Sequence, residues 1–300
     1  MKNIDNLEYI VTRINIGIVG CGEATQIIHM PALEHLSSQF SITALCDVSR
    51  KVLNGLSPRF PQAEVYENYS DLVVNPKVDA VLIANPHALH TAVAIAALDA
   101  GKHVLIEKPM SMSLSEADAL AEAEKRSGKI VQIGYMRRYG GAFEDLVAEM
   151  RDSRETIKFA RVQDVIGTNS MIIDDTSHVI RGDDIPCSAN ENLTETVTAS
   201  MLNALGSAEP MLTKAYNLLL GLGSHDISAM RELFGMPDSV MNATSRHGSS
   251  WISATFDYGH FVCEFVTSVD QIPRFDTFIE FFQGDSATRI EFDTPYVRNL

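Results

Sequence analysis

The sequence predicts a two-part protein, in which a doubly wound parallel α/β sheet over residues 1–135 is followed by an α+β domain over residues 136–300. Two observations predict the first part: a glycine turn directly after an apolar strand, and strands and helices that alternate at the spacing of βαβ units. A third predicts the second part, because from Ser239 onward the pattern changes to pairs of strands joined by short turns. With 45% hydrophobic residues, a chain of 300 residues can build two cores of ordinary size.

The first strand and the turn after it carry the strongest local pattern. Ile14 to Val19 is mostly β-branched and apolar, as expected of a strand buried on both faces of a parallel sheet. It runs into Gly20-x-Gly22, where glycines permit a tight turn and let the backbone approach a ligand closely. The next residues predict a helix whose free N–H groups would face a phosphate. This is most of a dinucleotide-binding fingerprint, although Thr25 stands at its third glycine position.

An acidic residue ends the second predicted strand. The apolar run 42–45 leads to Asp47, which lies 25 residues past Gly22. An acid at this place holds the adenosine ribose hydroxyls in NAD sites. The alternative is that Asp47 only caps the loop before Ser49 and Arg50. Those two residues leave room for a 2′-phosphate, so the sequence predicts NAD as the cofactor without excluding NADP.

The other elements of the first part follow in βαβ order. Pro31 should kink or restart the first helix, because it lacks an N–H group. Ser113 and Glu116 have the spacing of a capping box, and they open a helix that Gly128 ends. Further strands are predicted at 78–84, 103–106 and 130–134, and an alanine-rich helix at 90–100.

The second part has a different order of elements. They are a helix at 143–151, a strand at 157–165, mostly helical residues from 197 to 234 with breaks near Gly206 and Gly221, and hairpins at 251–265 and 275–292. Between the first strand and the helical stretch, residues 167–190 are polar and predicted to be irregular. A loop of that length inside a compact domain is usually functional or disordered.

Composition and charge narrow the classes of partner. A formal net charge of −15 would repel a phosphate backbone, which disfavours binding to nucleic acid or to an anionic membrane. No apolar run approaches the ~18 residues that span a bilayer, and the first residues lack the pattern of a signal peptide. The four cysteines have no metal or redox spacing, and His87 and His90 have no acid at ligand spacing, so no metal site is predicted. We therefore expect a cytoplasmic protein.

Five short stretches together resemble the Gfo/Idh/MocA oxidoreductases, and the resemblance extends over essentially the whole chain. They are Gly20-x-Gly22 with His29-x-Pro31-Ala-Leu33, Asn85-Pro86-x-x-x-His90, Glu107-Lys108-Pro109, Gly134-Tyr-Met-Arg-Arg-Tyr139, and Gly223-Ser-His225-Asp-Ile. The Glu-Lys-Pro stretch is the most specific of the five. Their combination is stronger than any single motif.

This resemblance implies an N-terminal NAD(P)-binding Rossmann domain and a C-terminal domain with a large open antiparallel sheet. Subunits would pair through that sheet into a homodimer or homotetramer. The implied reaction is hydride transfer between the nicotinamide and a hydroxyl-bearing carbon of a small molecule, usually a sugar or polyol. Family members often run longer than this chain, so its end at Leu300 suggests that a C-terminal portion is absent.

The resemblance also implies roles for individual residues. Lys108, at the carboxyl end of a parallel strand, and His225 would share the proton transfer, and a cis peptide bond would precede Pro109. The non-catalytic alternatives are that Lys108 lies in an exposed turn and that His225 has a structural role. The residues expected at the cofactor are Gly20, Cys21, Gly22, Glu23, Ala24, Asp47, Ser49, Arg50, Asn85, Pro86, His90, Glu107 and Lys108.

Four residues are expected near the substrate: Tyr135, Arg138, His178 and Arg181. For His178 and Arg181, and for Asp175 beside them, only the polar composition of the 167–190 segment points to the substrate. A solvated surface loop accounts for these residues equally well. For Arg137 and Arg138, ion pairing with Glu144 is an equally good explanation.

Two acids of the family pattern are missing. In many members an aspartate lies four residues before the histidine and another three residues after it, whereas here Gly221 and Ser228 stand at those positions. Asp226 is adjacent to His225 but should point about 100° away around the helix, so it is a poor substitute. Two alternatives to the dehydrogenase stay open. One is a non-catalytic regulator that binds a dinucleotide and a ligand, which the lost acids favour and the retained Lys108 and His225 oppose. The other is a glycosidase that uses tightly held NAD for transient oxidation.

Overall fold

The computed structural model describes residues 13–151 and 153–294 of the chain. The parts of the two predicted domains at 1–12 and 295–300 lie outside these described residues, and so does the chain end at Leu300. Within the described ranges, no helix combines the length and the apolar character needed to cross a membrane.

The first part of the chain forms the predicted doubly wound sheet. Its strands are β1 (Ile14–Val19), β2 (Phe40–Cys46), β3 (Glu64–Tyr66), β4 (Ala80–Ile83), β5 (His103–Ile106) and β6 (Val131–Ile133). They pair in parallel in the order β3-β2-β1-β4-β5-β6, so the order reverses between β1 and β4. Such a switch point is where open parallel sheets bind ligands. The α-helices are α1 (Met30–His35), α2 (Arg50–Leu56), α3 (Tyr69–Val73), α4 (His90–Asp99) and α5 (Leu114–Ser127).

Successive strand residues face two separate cores, because side chains alternate across a sheet. Ile18 packs on the α1 and α2 side with Leu45. Val19 packs on the α4 and α5 side with Ile83. Burying each of these side chains contributes about 1.5–3 kcal/mol. The two cores fix the sheet and therefore the loops at its carboxyl edge.

Helix ends follow the predicted signals. The Ser113 hydroxyl accepts a hydrogen bond from the Glu116 N–H at 3.2 Å, and Gly128 closes α5 with φ of +65°. Pro31 lies in the first turn of α1, which a π-helical turn at Thr25–His29 precedes. His29 and Met30 both have right-handed helical backbone, so the helix changes from π-helical to α-helical turns just before the proline without a break.

The second part is an α+β domain, and its sheet is mixed rather than purely antiparallel. Strands β7 (Ile157–Ile166), β8 (Ser239–Arg246), β9 (Trp251–Asp257), β10 (Val262–Val269), β11 (Phe275–Gln283) and β12 (Ser286–Phe292) lie in the order β12-β11-β7-β10-β9-β8. The β7–β10 pair is parallel and the other pairs are antiparallel. The helices are α6 (Gly141–Met150), α7 (Ser170–Thr176), α8 (Cys187–Leu205), α9 (Pro210–Leu218) and α10 (Ser224–Phe234). A core between this sheet, α6 and α10 holds the domain together.

The prediction of an irregular segment at 167–190 was wrong in part. Helix α7 lies inside it, and α8 begins at Cys187, directly after Pro186. Both helices have few buried positions, so apolar periodicity gave no sign of α7 or of the part of α8 before residue 197. The remaining residues, 177–186, connect α7 to α8, and we name them the strap. The domain boundary stays a prediction, although β6 ends at Ile133 and a new turn begins at Met136.

Candidate functional site

The glycine turn after β1 has a geometry that demands glycine at one position and leaves space at the other. Gly20 has φ of +90°, and a Cβ there would lie 2.5 Å from the carbonyl carbon of Ala84 and closer still to Asn85 N. A Cβ on Gly22 would meet no described atom within 4 Å. The Thr25 hydroxyl donates to the Gly20 carbonyl at 2.6 Å, so the residue at the third glycine position braces the turn.

Asp47 joins the glycine turn to the end of β2. One carboxylate oxygen accepts from Cys21 N at 2.8 Å, and the other accepts from Ser49 N at 2.9 Å. The loop-capping role considered for Asp47 is therefore present. Because a carboxylate has about four acceptor positions, this one keeps capacity for ribose hydroxyls.

The neighbours of Asp47 already have partners. Arg50 pairs with Glu67 at 2.8 Å, and the Ser49 hydroxyl donates to Asp184 of the strap. Glu23 pairs with Arg181 of the strap at 2.9 Å. Ala24 lines the cavity described next, and Pro86 is exposed beside it.

A cavity of about 270 Å³ lies at the carboxyl ends of β4, β5 and β6 and is closed by the second domain. The cavity has both polar and apolar walls. Its polar lining comes from His29, Asn85, His87, His90, Glu107, Lys108, Arg137, Asn169 and His225, and its apolar lining includes Ile166, Leu222 and Phe275. The cavity begins next to the glycine turn and continues between the two domains. The two predicted proton-transfer residues therefore line the same cavity.

Lys108 donates a hydrogen bond from Nζ to the Gly221 carbonyl at 2.6 Å. Burial lowers the pKa of Lys108 below its ordinary value; Glu107 opposes this shift and Arg137 adds to it. The peptide bond before Pro109 is cis, as the resemblance implied. Lys108 is thus a desolvated amine at the cavity wall rather than part of an exposed turn.

His225 stands at the start of α10 and is buried. Its Nδ1 has no hydrogen-bond partner among the described residues. Burial lowers the pKa of His225 well below its ordinary value, and the positive charges of Lys108 and Arg137 lower it further. This lowered pKa favours the neutral imidazole, which has one ring nitrogen that donates a hydrogen bond and one that accepts.

Beneath His225 lies a buried cluster of one arginine and two aspartates. Arg137 pairs with Asp164 at 2.8 Å and with Asp226, and Thr277 donates to Asp164 at 2.8 Å. Burial raises the pKa of Asp226 well above its ordinary value, Arg137 opposes the shift, and Asp164 adds to it. Asp226 is fully buried against this partner. It therefore does not supply the acid that is missing at Gly221.

Two other groups shape the wall nearest the first domain. His29 Nε2 lies 2.6 Å from Glu107 Oε1, within hydrogen-bond distance. Although burial raises the pKa of Glu107, the hydrogen bond and charge of His29 and the charge of Lys108 outweigh it and hold that pKa below its ordinary value. His90 places Nδ1 2.8 Å from the Pro109 carbonyl and Nε2 2.7 Å from the Asn85 carbonyl, so it ties the loop after β4 to the loop after β5.

The structure places the expected substrate residues elsewhere. Tyr135 and Arg138 line a second depression beside α10, where Arg138 pairs with Glu232 and not with Glu144. His178 is exposed on the strap, and Arg181 pairs with Glu23 and with Asp174. None of the four lines the cavity that holds Lys108 and His225. Their role in substrate binding stays a prediction.

Sequence reasoning missed several cavity residues. His29 had a usable signal, because it stands in the His-x-Pro-Ala-Leu stretch. The Gly221 carbonyl, Asn169 and Phe275 carried no signal, since they come from distant parts of the chain and reach the cavity only in the folded protein.

Comparison with known proteins agrees with this geometry. Residues 14–135 match the family profile GFO_IDH_MocA, which is described as an oxidoreductase family with an NAD-binding Rossmann fold. The inositol 2-dehydrogenase of Salmonella typhimurium is 35% identical over 135 residues, which are 44% of this chain and 40% of that protein. The inositol 2-dehydrogenase/D-chiro-inositol 3-dehydrogenase of Shouchella clausii is 38% identical over 138 residues, 44% of this chain and 39% of that protein. The match thus spans about two fifths of the length of these relatives.

Solved structures resemble most of the described chain. The scyllo-inositol dehydrogenase from Lactobacillus casei with bound NAD(H) and scyllo-inositol has a TM-score of 0.71 at 20% identity, over 93% of this chain and 76% of that chain. The myo-inositol dehydrogenase from the same organism has a TM-score of 0.70 at 16% identity, over 94% of this chain and 75% of that chain. The likeness shows that both domains share this fold.

Proposed function

Residues 14–135 belong to the Gfo/Idh/MocA family of NAD-binding oxidoreductases, and from this premise we propose that the protein is an NAD-dependent dehydrogenase or reductase acting on CH–OH groups. The observation that carries the proposal is that Lys108 and His225, from different domains, face one cavity next to the glycine turn. The substrate is a polyol or sugar-like molecule. The similarity to inositol dehydrogenases supports this class.

The residues around the turn fit a dinucleotide. Gly20 is required by its backbone conformation, and the space over Gly22 is open to a phosphate among the described atoms. Asp47 would hold the adenosine ribose. The Asn85 side-chain oxygen is buried without a partner in the described structure, and it lies with Glu107 in the cavity where the nicotinamide half would enter.

The chemistry requires one proton acceptor and one hydride acceptor. A nicotinamide held beside Asn85 and Glu107 would supply the acceptor for the hydride, with its two electrons, that leaves the carbinol carbon. Lys108 takes the hydroxyl proton as the C–O bond gains double-bond character, and its lowered pKa makes the neutral amine accessible. His225 lies in the same cavity, and its neutral imidazole can relay the proton by taking it on one ring nitrogen while the other ring nitrogen releases its own proton to water. In the reductive direction the same groups return the proton to the carbonyl oxygen.

The two missing acids have different consequences. Gly221 stands at the position where the family pattern has an aspartate. Its backbone carbonyl accepts a hydrogen bond from Lys108 Nζ. Ser228 lines the second depression instead of the cavity. An acid at that place would not reach the reacting atoms, so only the loss at Gly221 bears on proton transfer.

A second candidate function is a regulator that binds the dinucleotide and a ligand without turnover. The observation that favours it is the absent side chain at Gly221. The desolvated Lys108 beside a neutral His225 favours the enzyme, because a binding protein has no need of a poised proton acceptor.

The experiment that tests the function has two steps. NADH is first titrated by fluorescence into the wild type and into Asp47→Ala, and we expect micromolar binding that the variant loses. A panel of inositols, linear polyols and aldoses is then screened for NADH formation. Lys108→Met should lower kcat by about 10²- to 10⁴-fold. Lys125→Met, which replaces an exposed lysine on α5, serves as the control.

The outcomes separate the two candidate functions. NADH formation that Lys108→Met abolishes and Lys125→Met leaves unchanged supports the dehydrogenase. Binding of NADH together with a polyol, without any turnover across the panel, supports the regulator instead. Failure of the wild type to bind NADH would contradict both.

Two further proposals concern the whole protein. We infer that it forms a homodimer or homotetramer through the second sheet, because β8 is exposed along its length and carries Val240 and Met241 at 55% and 59% exposure. We also infer a cytoplasmic location, where NAD and small polyols are available. Sedimentation of the wild type against Met241→Asp tests the first inference.

A further inference from the structure

The strap, which belongs to the second domain, crosses the cofactor-binding edge of the first domain. The Gln26 side chain donates to the Ile180 carbonyl and accepts from the Ile180 N–H, both at 2.9 Å. The Ile180 side chain packs into the core between the sheet, α1 and α2. These contacts fix the strap beside the glycine turn and the start of α2.

The next strap residues reach the loop that follows Asp47. Asp184 accepts hydrogen bonds from the Ser49 hydroxyl and, at 2.9 Å, from Lys51 N. Asp183 pairs with the Lys51 ammonium at 2.7 Å. Gly182 lies so close that a Cβ there would be 2.5 Å from the Ser49 hydroxyl oxygen. The backbone of the strap is therefore in contact with this loop.

Ser49, Arg50 and Lys51 are the residue types that recognise a 2′-phosphate on the adenosine ribose of NADP. In this structure each of them is engaged by an acid from elsewhere in the chain. Asp184 takes the Ser49 hydroxyl and the Lys51 N–H, Asp183 takes the Lys51 ammonium, and Glu67 takes the Arg50 guanidinium at 2.8 Å. A 2′-phosphate would have to displace carboxylates that already occupy its donors.

The negative charges around Ser49 also disfavour a 2′-phosphate. Ser49 donates its N–H to Asp47 and its hydroxyl to Asp184, so the two carboxylates lie on either side of one residue. A ribose held at Asp47 would carry its 2′ substituent into this acidic surrounding. A hydroxyl can donate to a carboxylate, whereas a phosphate dianion is repelled by it.

We propose that Asp183 and Asp184, contributed by the second domain, are specificity residues that make the adenosine end of the groove selective for NAD over NADP. This inference rests on the proposed dinucleotide-binding function. The two domains therefore share the cofactor site at both ends, with His225 at the reactive end and the strap at the adenosine end.

The test compares NADH and NADPH binding in the full chain. Asp183→Asn/Asp184→Asn keeps the size of both side chains and acceptors for Ser49 and Lys51, but it removes two negative charges and releases the Lys51 ammonium. We expect the Kd for NADPH to fall by about tenfold or more, which corresponds to about 1.4 kcal/mol, with the Kd for NADH changed by less than about threefold. Asp184→Asn alone should give a smaller gain.

The matched control is Asp118→Asn/Glu122→Gln, which removes the same charge from two exposed positions of α5. It should leave the ratio of the two Kd values unchanged. The inference is overturned if the wild type binds NADPH as tightly as NADH, or if both double variants change the ratio equally. It is also overturned if neither double variant changes the ratio of the Kd values for NADPH and NADH although NADH still binds. A wild type that binds neither nucleotide overturns the proposed function itself.

Discussion

Two glycines of the same turn should respond to alanine in opposite ways, since one is required by the fold and the other by the ligand. Gly20 has φ of +90° and backbone atoms of Ala84 and Asn85 against the position of a Cβ. Gly22 has a backbone that any residue adopts and no described atom within 4 Å of that position. Gly20→Ala and Gly22→Ala therefore separate stability from binding.

The expected sizes follow from this geometry. For Gly20→Ala, a non-glycine residue in this conformation costs on the order of 1–3 kcal/mol. Contacts of 2.5 and 2.6 Å with the Ala84 carbonyl group add to that cost, because backbone atoms cannot rotate aside. A loss of about 2–4 kcal/mol lowers Tm by roughly 4 to 10 °C. For Gly22→Ala, the free energy of unfolding should stay within about 0.5 kcal/mol of the wild type.

NADH affinity should respond to Gly22→Ala even though the stability of the protein does not. The methyl group of Gly22→Ala enters the open space over the turn, which is where a pyrophosphate would approach the backbone. Its Kd for NADH should rise at least about tenfold, equivalent to 1.4 kcal/mol, in a protein of unchanged stability. The measurements are thermal unfolding without ligand and NADH titration by fluorescence. Unchanged NADH affinity in Gly22→Ala would refute the placement of the dinucleotide over this turn.

Two other predictions concern the cavity. Gly221→Asp has room for its side chain and sets a carboxylate beside Lys108, so it should raise the pKa of Lys108. The pH at which kcat/KM for alcohol oxidation rises should then increase by about one unit. A pH profile that does not move would contradict the role of Lys108 as proton acceptor. Burial, with the charges of His90 and Lys108, lowers the pKa of His87 to about 4. Because the unfolded chain then takes up the proton first, stability falls as pH drops from about 6.5 to about 4. The shift corresponds to at most about 3 kcal/mol, and partial exposure reduces it to about 1–2 kcal/mol. The free energy of unfolding is measured with urea at pH 7 and at pH 4.5. Between these pH values His87→Gln should lose about 1–2 kcal/mol less than the wild type. An equal loss in the two proteins would contradict the lowered pKa of His87.

The first domain could be predicted from sequence because its signals are local. The strand at Ile14–Val19 was predicted with its observed bounds, and the cap of α5 is made by the residues that predicted it. The sheet of the second domain was predicted less well. Its parallel pair joins β7 and β10, which are about a hundred residues apart, and no periodicity within either strand indicates its partner.

The direction of a side chain near the site was harder to predict than its presence. Arg137 and Arg138 are neighbours in one short 3₁₀ turn, yet one is buried against two aspartates and the other pairs with Glu232 on the surface. Consecutive residues of such a turn point about 120° apart, so an error of one position reverses the role. Lys108 and Gly20 were easier, because the end of a parallel strand fixes the edge of the sheet that they occupy.

Cofactor preference shows why a motif alone is an incomplete guide to a site. Ser49 and Arg50 taken from the sequence look able to hold a 2′-phosphate, and Lys51 beside them strengthens that impression. Folding brings Glu67, Asp183 and Asp184 to these three residues and uses up their donors. The net charge of −15 gave no indication of this, because selectivity depends on where the acids lie and not on their number. A donor counts toward ligand recognition only when the folded chain leaves it free, and here distant acids decide that.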